Sequence, residues 1–317
     1  MLQLYAAYNI VKTITSTNVV KNIQKSFKSN KSAKKDTGKT SAKTTNLKNN
    51  ANCQIGKAED EQCALEINGK IEESKQGKNV GDCYLLSAIN SVAISNPDFF
   101  KDVVQDKGDY VEVKFRGVKK YNKDENAYNC LTYKISKDAL CDDNNSKKYS
   151  SGDKDVKAIE IAYEQLRGDI KNGKIDGSSF EQDVNNIMDD SLLKGGVSAD
   201  TMKLITGKKT AHYGVTKIQN MWQKYGDDLL DSFKTSALCC GFIQTTNTVK
   251  SGHMYTISSY DKKTVTLINT WDSSKTIVMS KIDFYDNLEC LDVCDLNGPN
   301  DWCEPTKNDY SMHNIIE

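Results

Sequence analysis

Cys83 lies in KQGKNVGDCYLLSAINSVA, residues 75–93, where a loop carrying Gly77 and Gly81 runs into an apolar segment. Leu85, Leu86, Ile89 and Val92 recur at helical spacing, which predicts a buried helix beginning at the cysteine. Asp82 occupies the N-cap position, and the two glycines let the backbone turn tightly before it. A thiol in the first turn of a helix feels the positive end of the macrodipole, which favours thiolate. With a histidine beside it, such a thiol is expected to titrate at roughly 3.5–7.5. The competing assignment is a packed core cysteine, since free cysteines are among the most buried residues.

A thiolate nucleophile needs a base, and the base needs a group that holds its ring. The chain has three histidines, His212, His253 and His313. His253 opens SGHMYTISSYDKKTVTLINTWDSS, residues 251–274, in which MYTIS and TVTLI are expected strands joined by a polar turn at Asp261, Lys262 and Lys263. An antiparallel hairpin of this length brings the start of one strand beside the end of the other, so Asn269 comes within reach of His253. The three residues then form a Cys–His–Asn arrangement, with the amide fixing the tautomer. Trp271 is placed to cover the pair from water. His212 is expected in a solvated loop, and His313 lies at the fraying C-terminus.

GDCYLLSAI, SGHMYTIS and LINTW resemble, in order, the nucleophile, histidine and asparagine motifs of the calpain family of papain-like cysteine proteases. AIEIAYEQLRG (158–168), SSFEQ (178–182) and GGVSADTMKLITG (195–207) resemble the linking helices of that family's protease core, and the resemblance spans roughly residues 70–275. It implies an α+β, papain-like fold, with a mainly helical first half, an antiparallel β second half and the cleft between them. It also implies a cysteine endopeptidase with Cys83 as nucleophile, His253 as general base then acid, Asn269 as orienting residue and Gln76 as oxyanion-hole side chain. Three departures stand out: Tyr84 replaces the family's usual Trp, Thr270 replaces Pro in Asn-Pro-Trp, and Gln76 is one residue further from Cys83 than usual. The chemistry requires no cofactor. Calcium is a cofactor candidate by resemblance alone, with no ligands assignable, and no EF-hand loop pattern is present. Alternatives on the same triad are a transglutaminase-like acyl transferase and a non-enzymatic binding module.

Composition sets the frame. The 317 residues carry 43 Lys plus Arg against 43 Asp plus Glu, a balance that offers no argument for nucleic acid or for a membrane surface. Residues 1–22 show no charged, apolar signal pattern and no membrane-length run, so a cytoplasmic location is favoured. The expected organisation is a basic disordered segment at 1–50, a core at 51–280 and an acidic cysteine-containing extension at 281–317 packed on the β half. Further helices are expected near 156–168, 178–190, 198–206 and 214–231, with a loop at 118–128. Ten cysteines leave disulfide pairing open, and no ligand spacing supports a metal site. The expected partner is a protein or peptide substrate, and the expected state is a monomer.

Overall fold

Successive side chains of a strand point to opposite faces, so a strand sandwiched between two cores must be apolar throughout. ALCCGF, residues 237–242, is such a strand. The computed structural model describes residues 65–78, 80–142, 148–175 and 195–301, and it is a mixture of helices and antiparallel sheets, as the α+β class requires. The first elements are β1 (Ser74–Lys75), α1 (Cys83–Ser95), β2 (Val104–Asp106), β3 (Tyr110–Asn122), β4 (Ala127–Ser136), α2 (Lys137–Cys141), β5 (Ser151–Gly152) and α3 (Lys154–Lys171). They are followed by α4 (Ser198–Thr206), β6 (Thr210–Gly214), α5 (Val215–Tyr225), β7 (Ala237–Phe242), β8 (Met254–Tyr260), β9 (Thr264–Asn269), β10 (Asp272–Ser280), α6 (Lys281–Asn287) and β11 (Leu288–Cys294). The expected helix at 178–190 and the segment at 1–50 lie outside the described residues.

Two sheets organise the chain. β2, β3 and β4 form a three-stranded antiparallel sheet, and six strands pair antiparallel in the order β10-β9-β8-β7-β11-β6. On β7, Ala237 and Cys239 join the core built around α1, α3 and the small sheet. Leu238, Cys240 and Phe242 join a second core beneath α5 and α6. The helix α1 is buried continuously from Cys83 to Val92, which makes it the central post of the first core. It ends at Asn96, extended because Pro97 disfavours helical backbone in the residue before it.

Several expectations need correction. The antiparallel pair expected at 108–117 and 131–140 is present as β3 and β4, longer than expected, so among the described residues of the first half strands stand beside the helices. Pairing from Lys119↔Cys130 to Asn122↔Ala127 carries the strands into the polar stretch expected to be a loop, because cross-strand partners override its composition. Residues 281–294 are no appendage: β11 lies inside the large sheet, between β7 and β6. The helix expected over 214–231 ends at Tyr225 and continues as short 3₁₀ turns. Cys141 is disulfide-bonded, while Cys83, Cys130, Cys239, Cys240, Cys290 and Cys294 are free thiols.

Candidate active site

The β8–β9 hairpin sets the geometry. Asp261 Oδ1 accepts from the backbone N–H groups of Lys263 and Thr264, both at 2.7 Å, which closes the turn. The resulting register puts Tyr255 opposite Asn269, so His253, two residues ahead of Tyr255, lies against the end of β9. His253 Nε2 is 3.0 Å from Asn269 Oδ1. The Trp271 backbone N–H also donates to Asn269 Oδ1, at 3.1 Å, which identifies that atom as the oxygen. Nε2 therefore carries the ring hydrogen, and Nδ1 is left as the acceptor nitrogen. The imidazole is buried, 4.3 Å from the Trp271 ring centroid on one side and 4.8 Å edge-on from Tyr255 on another. Trp271 thus covers the ring as expected, while remaining 49% exposed itself.

Cys83 reaches the hairpin through the residue after the histidine. The Met254 backbone lies beside the Cys83 thiol and draws its pKa down. A second tie holds α1 on β8: Thr256 Oγ1 donates to the carbonyl of Ser87 at 2.9 Å. Behind the cysteine, Tyr84 is buried and its hydroxyl accepts from Arg167 Nη1 at 2.6 Å. Tyrosine at this position therefore comes with a dedicated donor on α3. Gly196 lies flat on the same ring, and a Cβ there would stand 2.5 Å from it.

Gln76 and Thr270 link the nucleophile loop to the hairpin. The Gln76 N–H donates to the Thr270 carbonyl at 3.1 Å, and Thr270 Oγ1 donates to Gln76 Oε1 at 3.0 Å. Thr270 Oγ1 lies 3.3 Å from His253 Nε2, so it shares the ring hydrogen with Asn269. Gln76 Nε2 donates to the Val80 carbonyl at 2.7 Å, which turns the amide into its own loop. The sequence offered Thr270 only as a missing proline. Its hydroxyl in a site of polar side chains was the available signal.

Electrostatics correct one expectation and refine another. Burial pushes the Cys83 thiol up from its ordinary value, the Met254 backbone pulls it back, and the neighbouring Asp82 charge pushes it up again. Burial also lowers His253, partly offset by its Asn269 hydrogen bond. Both shifts favour the neutral form of their group, opposite to the direction expected for Cys83 from the helix dipole, because desolvation penalises each charge more than one helix end can repay. Asp82 does stand at the start of α1, yet its side chain makes no capping bond, as it points inward toward Glu160 on α3. Its backbone carbonyl instead begins the helix, accepting from Leu85 and Leu86.

His212 belongs elsewhere. It is not in a solvated loop but on β6, where Nδ1 pairs with Asp292 Oδ1 of β11 at 2.5 Å. Among the described residues no cluster of His, Cys, Asp and Glu could hold a metal ion. No family model and no curated protein matches the chain.

Proposed function

We propose that this chain is a cysteine endopeptidase on a papain-like, calpain-like core, acting through a thioester acyl-enzyme. The observation that carries this is the buried His253 imidazole, held in one tautomer by Asn269, one residue before Met254, whose backbone lies beside the Cys83 thiol. Substrate binding in the cleft completes the activation. His253 Nδ1 takes the thiol proton, the sulfur attacks the peptide carbonyl, and the protonated ring then gives that proton to the leaving amine. Water resolves the thioester, with His253 again acting as base. The Cys83 N–H is one oxyanion donor, and Gln76 Nε2, released from Val80, is the other. The steps as written need no cofactor, and calcium stays a candidate by resemblance alone. Among the described residues no helix is long and apolar enough to cross a membrane.

The test is labelling of the full chain by an epoxide-type thiol-protease inhibitor, with the modified residue mapped and peptide hydrolysis followed in parallel. Cys83→Ala and His253→Ala should each lower hydrolysis by on the order of 10⁴-fold or more, and labelling should fall on Cys83 and vanish in His253→Ala. Slow labelling spread over several cysteines, indifferent to His253, would reduce Cys83 to a core thiol. Amine incorporation in place of cleavage would assign the same triad to acyl transfer.

A further inference from the structure

Thr270 is the residue at which the histidine and the oxyanion side chain meet. It is buried, and its carbonyl accepts from the Gln76 N–H, which clamps the nucleophile loop just past β9. A hydroxyl has one hydrogen to give, while its oxygen can accept from others. The Thr270 hydroxyl gives that hydrogen to Gln76 Oε1 at 3.0 Å, since an amide oxygen only accepts. Its oxygen lies 3.3 Å from His253 Nε2, which carries the ring hydrogen because Asn269 Oδ1 stands 3.0 Å from the same nitrogen. The three side chains form a chain with a direction: Nε2–H toward Thr270 Oγ1, then O–H to Gln76 Oε1. At its far end Gln76 Nε2 donates to the Val80 carbonyl at 2.7 Å. Two contacts thus hold the amide the same way round. Flipped, it would set Oε1 against the Val80 carbonyl and leave the Thr270 hydrogen without its acceptor.

We propose that Thr270 is a positioning residue that fixes which end of the Gln76 amide meets the oxyanion and couples that donor to the protonation of His253. The two contacts on the amide are not equivalent in the reaction. When Nε2 leaves Val80 for the oxyanion, the Val80 restraint is gone, and the Thr270 hydroxyl keeps Oε1 turned away from the reacting carbonyl. His253 Nδ1 takes the Cys83 proton as the sulfur adds to that carbonyl, so the ring becomes charged while the oxyanion forms. A charged ring makes Nε2–H a stronger donor, which polarises the Thr270 hydroxyl and, through it, the Gln76 amide. The donor therefore strengthens in the step that needs it. The backbone clamp between the Gln76 N–H and the Thr270 carbonyl does not involve the hydroxyl, so it survives a substitution that removes only that group.

This inference rests on the peptidase proposal, with Gln76 as an oxyanion donor. Steady-state peptide hydrolysis and alkylation of Cys83 by a neutral haloacetamide are measured on the full chain for the wild type, Thr270→Val, Thr270→Ser, Gln76→Ala and the Gln76→Ala/Thr270→Val double variant. Thr270→Val keeps the shape but not the hydroxyl. It should lower kcat by on the order of ten-fold with KM little changed, a part of what a whole oxyanion donor supplies. Thr270→Ser should restore the rate. Alkylation should stay near the wild type in both, because Asn269 still holds the ring and that reaction builds no oxyanion. In the Gln76→Ala background Thr270→Val should cost nothing further, since the two act as one unit. A full cost in that background, a parallel loss of alkylation, or a Thr270→Ser chain as slow as Thr270→Val would each overturn the positioning role. Should Thr270→Val not fold, Thr270→Ser against Thr270→Ala decides: both lose the methyl, only the serine keeps the hydroxyl, and equal rates would overturn the role. A wild type that cleaves no peptide fails the peptidase proposal and this role with it, whereas an active wild type unmoved by Thr270→Val fails this inference alone.

Discussion

His253, just ahead of β8, and His212, on β6, belong to the same six-stranded sheet region, each with one ring nitrogen held by a side chain from another strand, and their tethers differ in charge. His253 is buried, and its partner is the neutral amide of Asn269 at 3.0 Å. His212 has a side chain 34% exposed, and its partner is the buried carboxylate of Asp292 at 2.5 Å, which also accepts from the Ala199 N–H at the start of α4. An amide fixes a ring without charging it, so the ring stays free to take a proton and give it back. A carboxylate instead ties the ring as a strut between β6, β11 and α4. A tethered histidine is thus informative only together with the charge of its tether and what stands at its other nitrogen.

The largest effect among residues other than Cys83 and His253 is expected at Gln76. Gln76→Ala removes the proposed oxyanion donor and the acceptor of the Thr270 hydroxyl together, and it should lower kcat/KM by on the order of 10²- to 10³-fold. Alkylation of Cys83 by a small neutral reagent should continue, because that reaction builds no oxyanion. Parallel loss of both readouts would show Gln76 to be a structural prop.

The comparison can be broken on purpose at Asn269. Asn269→Ala leaves the ring untethered and should lower kcat/KM by on the order of 10²-fold through misorientation. Asn269→Asp keeps an acceptor at the same place but gives His253 the kind of partner that His212 has. A carboxylate raises a histidine pKa, here from a value that burial holds below the ordinary one. Below that raised pKa the ring is already protonated and cannot accept the thiol proton, so the acid limb of the kcat/KM profile should move to higher pH. An acid limb that stays in place in Asn269→Asp would mean that His253 does not set it.

The β8–β9 hairpin and the meeting of Asn269 with His253 were legible because they depend on short-range features. Alternation in MYTIS and TVTLI fixed two strands, and the Asp261 turn fixed their register, which is enough to bring Asn269 to His253. The apolar run after Cys83 likewise announced a buried helix, and Leu85, Leu86 and Ile89 lie fully inside it. Long-range partners were not legible. Asp82 looks like an N-cap from its neighbours alone, whereas its environment is set by Glu160, 78 positions on in the chain. The same limit hid β11, whose place between β7 and β6 depends on strands distant in sequence. The depression expected for Cys83 failed for a related reason: the helix end is a local feature, but desolvation is the sum of everything packed around it.

The smallest effect on chemistry, and the sharpest check of the comparison, is expected at His212. His212→Ala leaves Asp292 buried with Ala199 N–H as a remaining donor and strips a cross-strand tie from the edge strand β6. Loss of one partner from a buried polar group costs about 1–3 kcal/mol, so the urea midpoint should fall while the slope of the transition is unchanged. Peptide hydrolysis by the folded variant should stay within about two-fold of the wild type, a change below 0.5 kcal/mol in barrier height, because neither ring nitrogen of His212 belongs to the Cys83–His253–Asn269 arrangement. Were hydrolysis to collapse in a variant that still unfolds cooperatively, the strut would be coupled to the chemistry through α4, whose Ser198 hydroxyl donates to the Tyr84 carbonyl at 2.9 Å and meets the Ser87 hydroxyl at 3.0 Å on the nucleophile helix. Ser198→Ala would then separate the cases, since a signal carried by that contact should be lost with it while the His212–Asp292 pair stays intact.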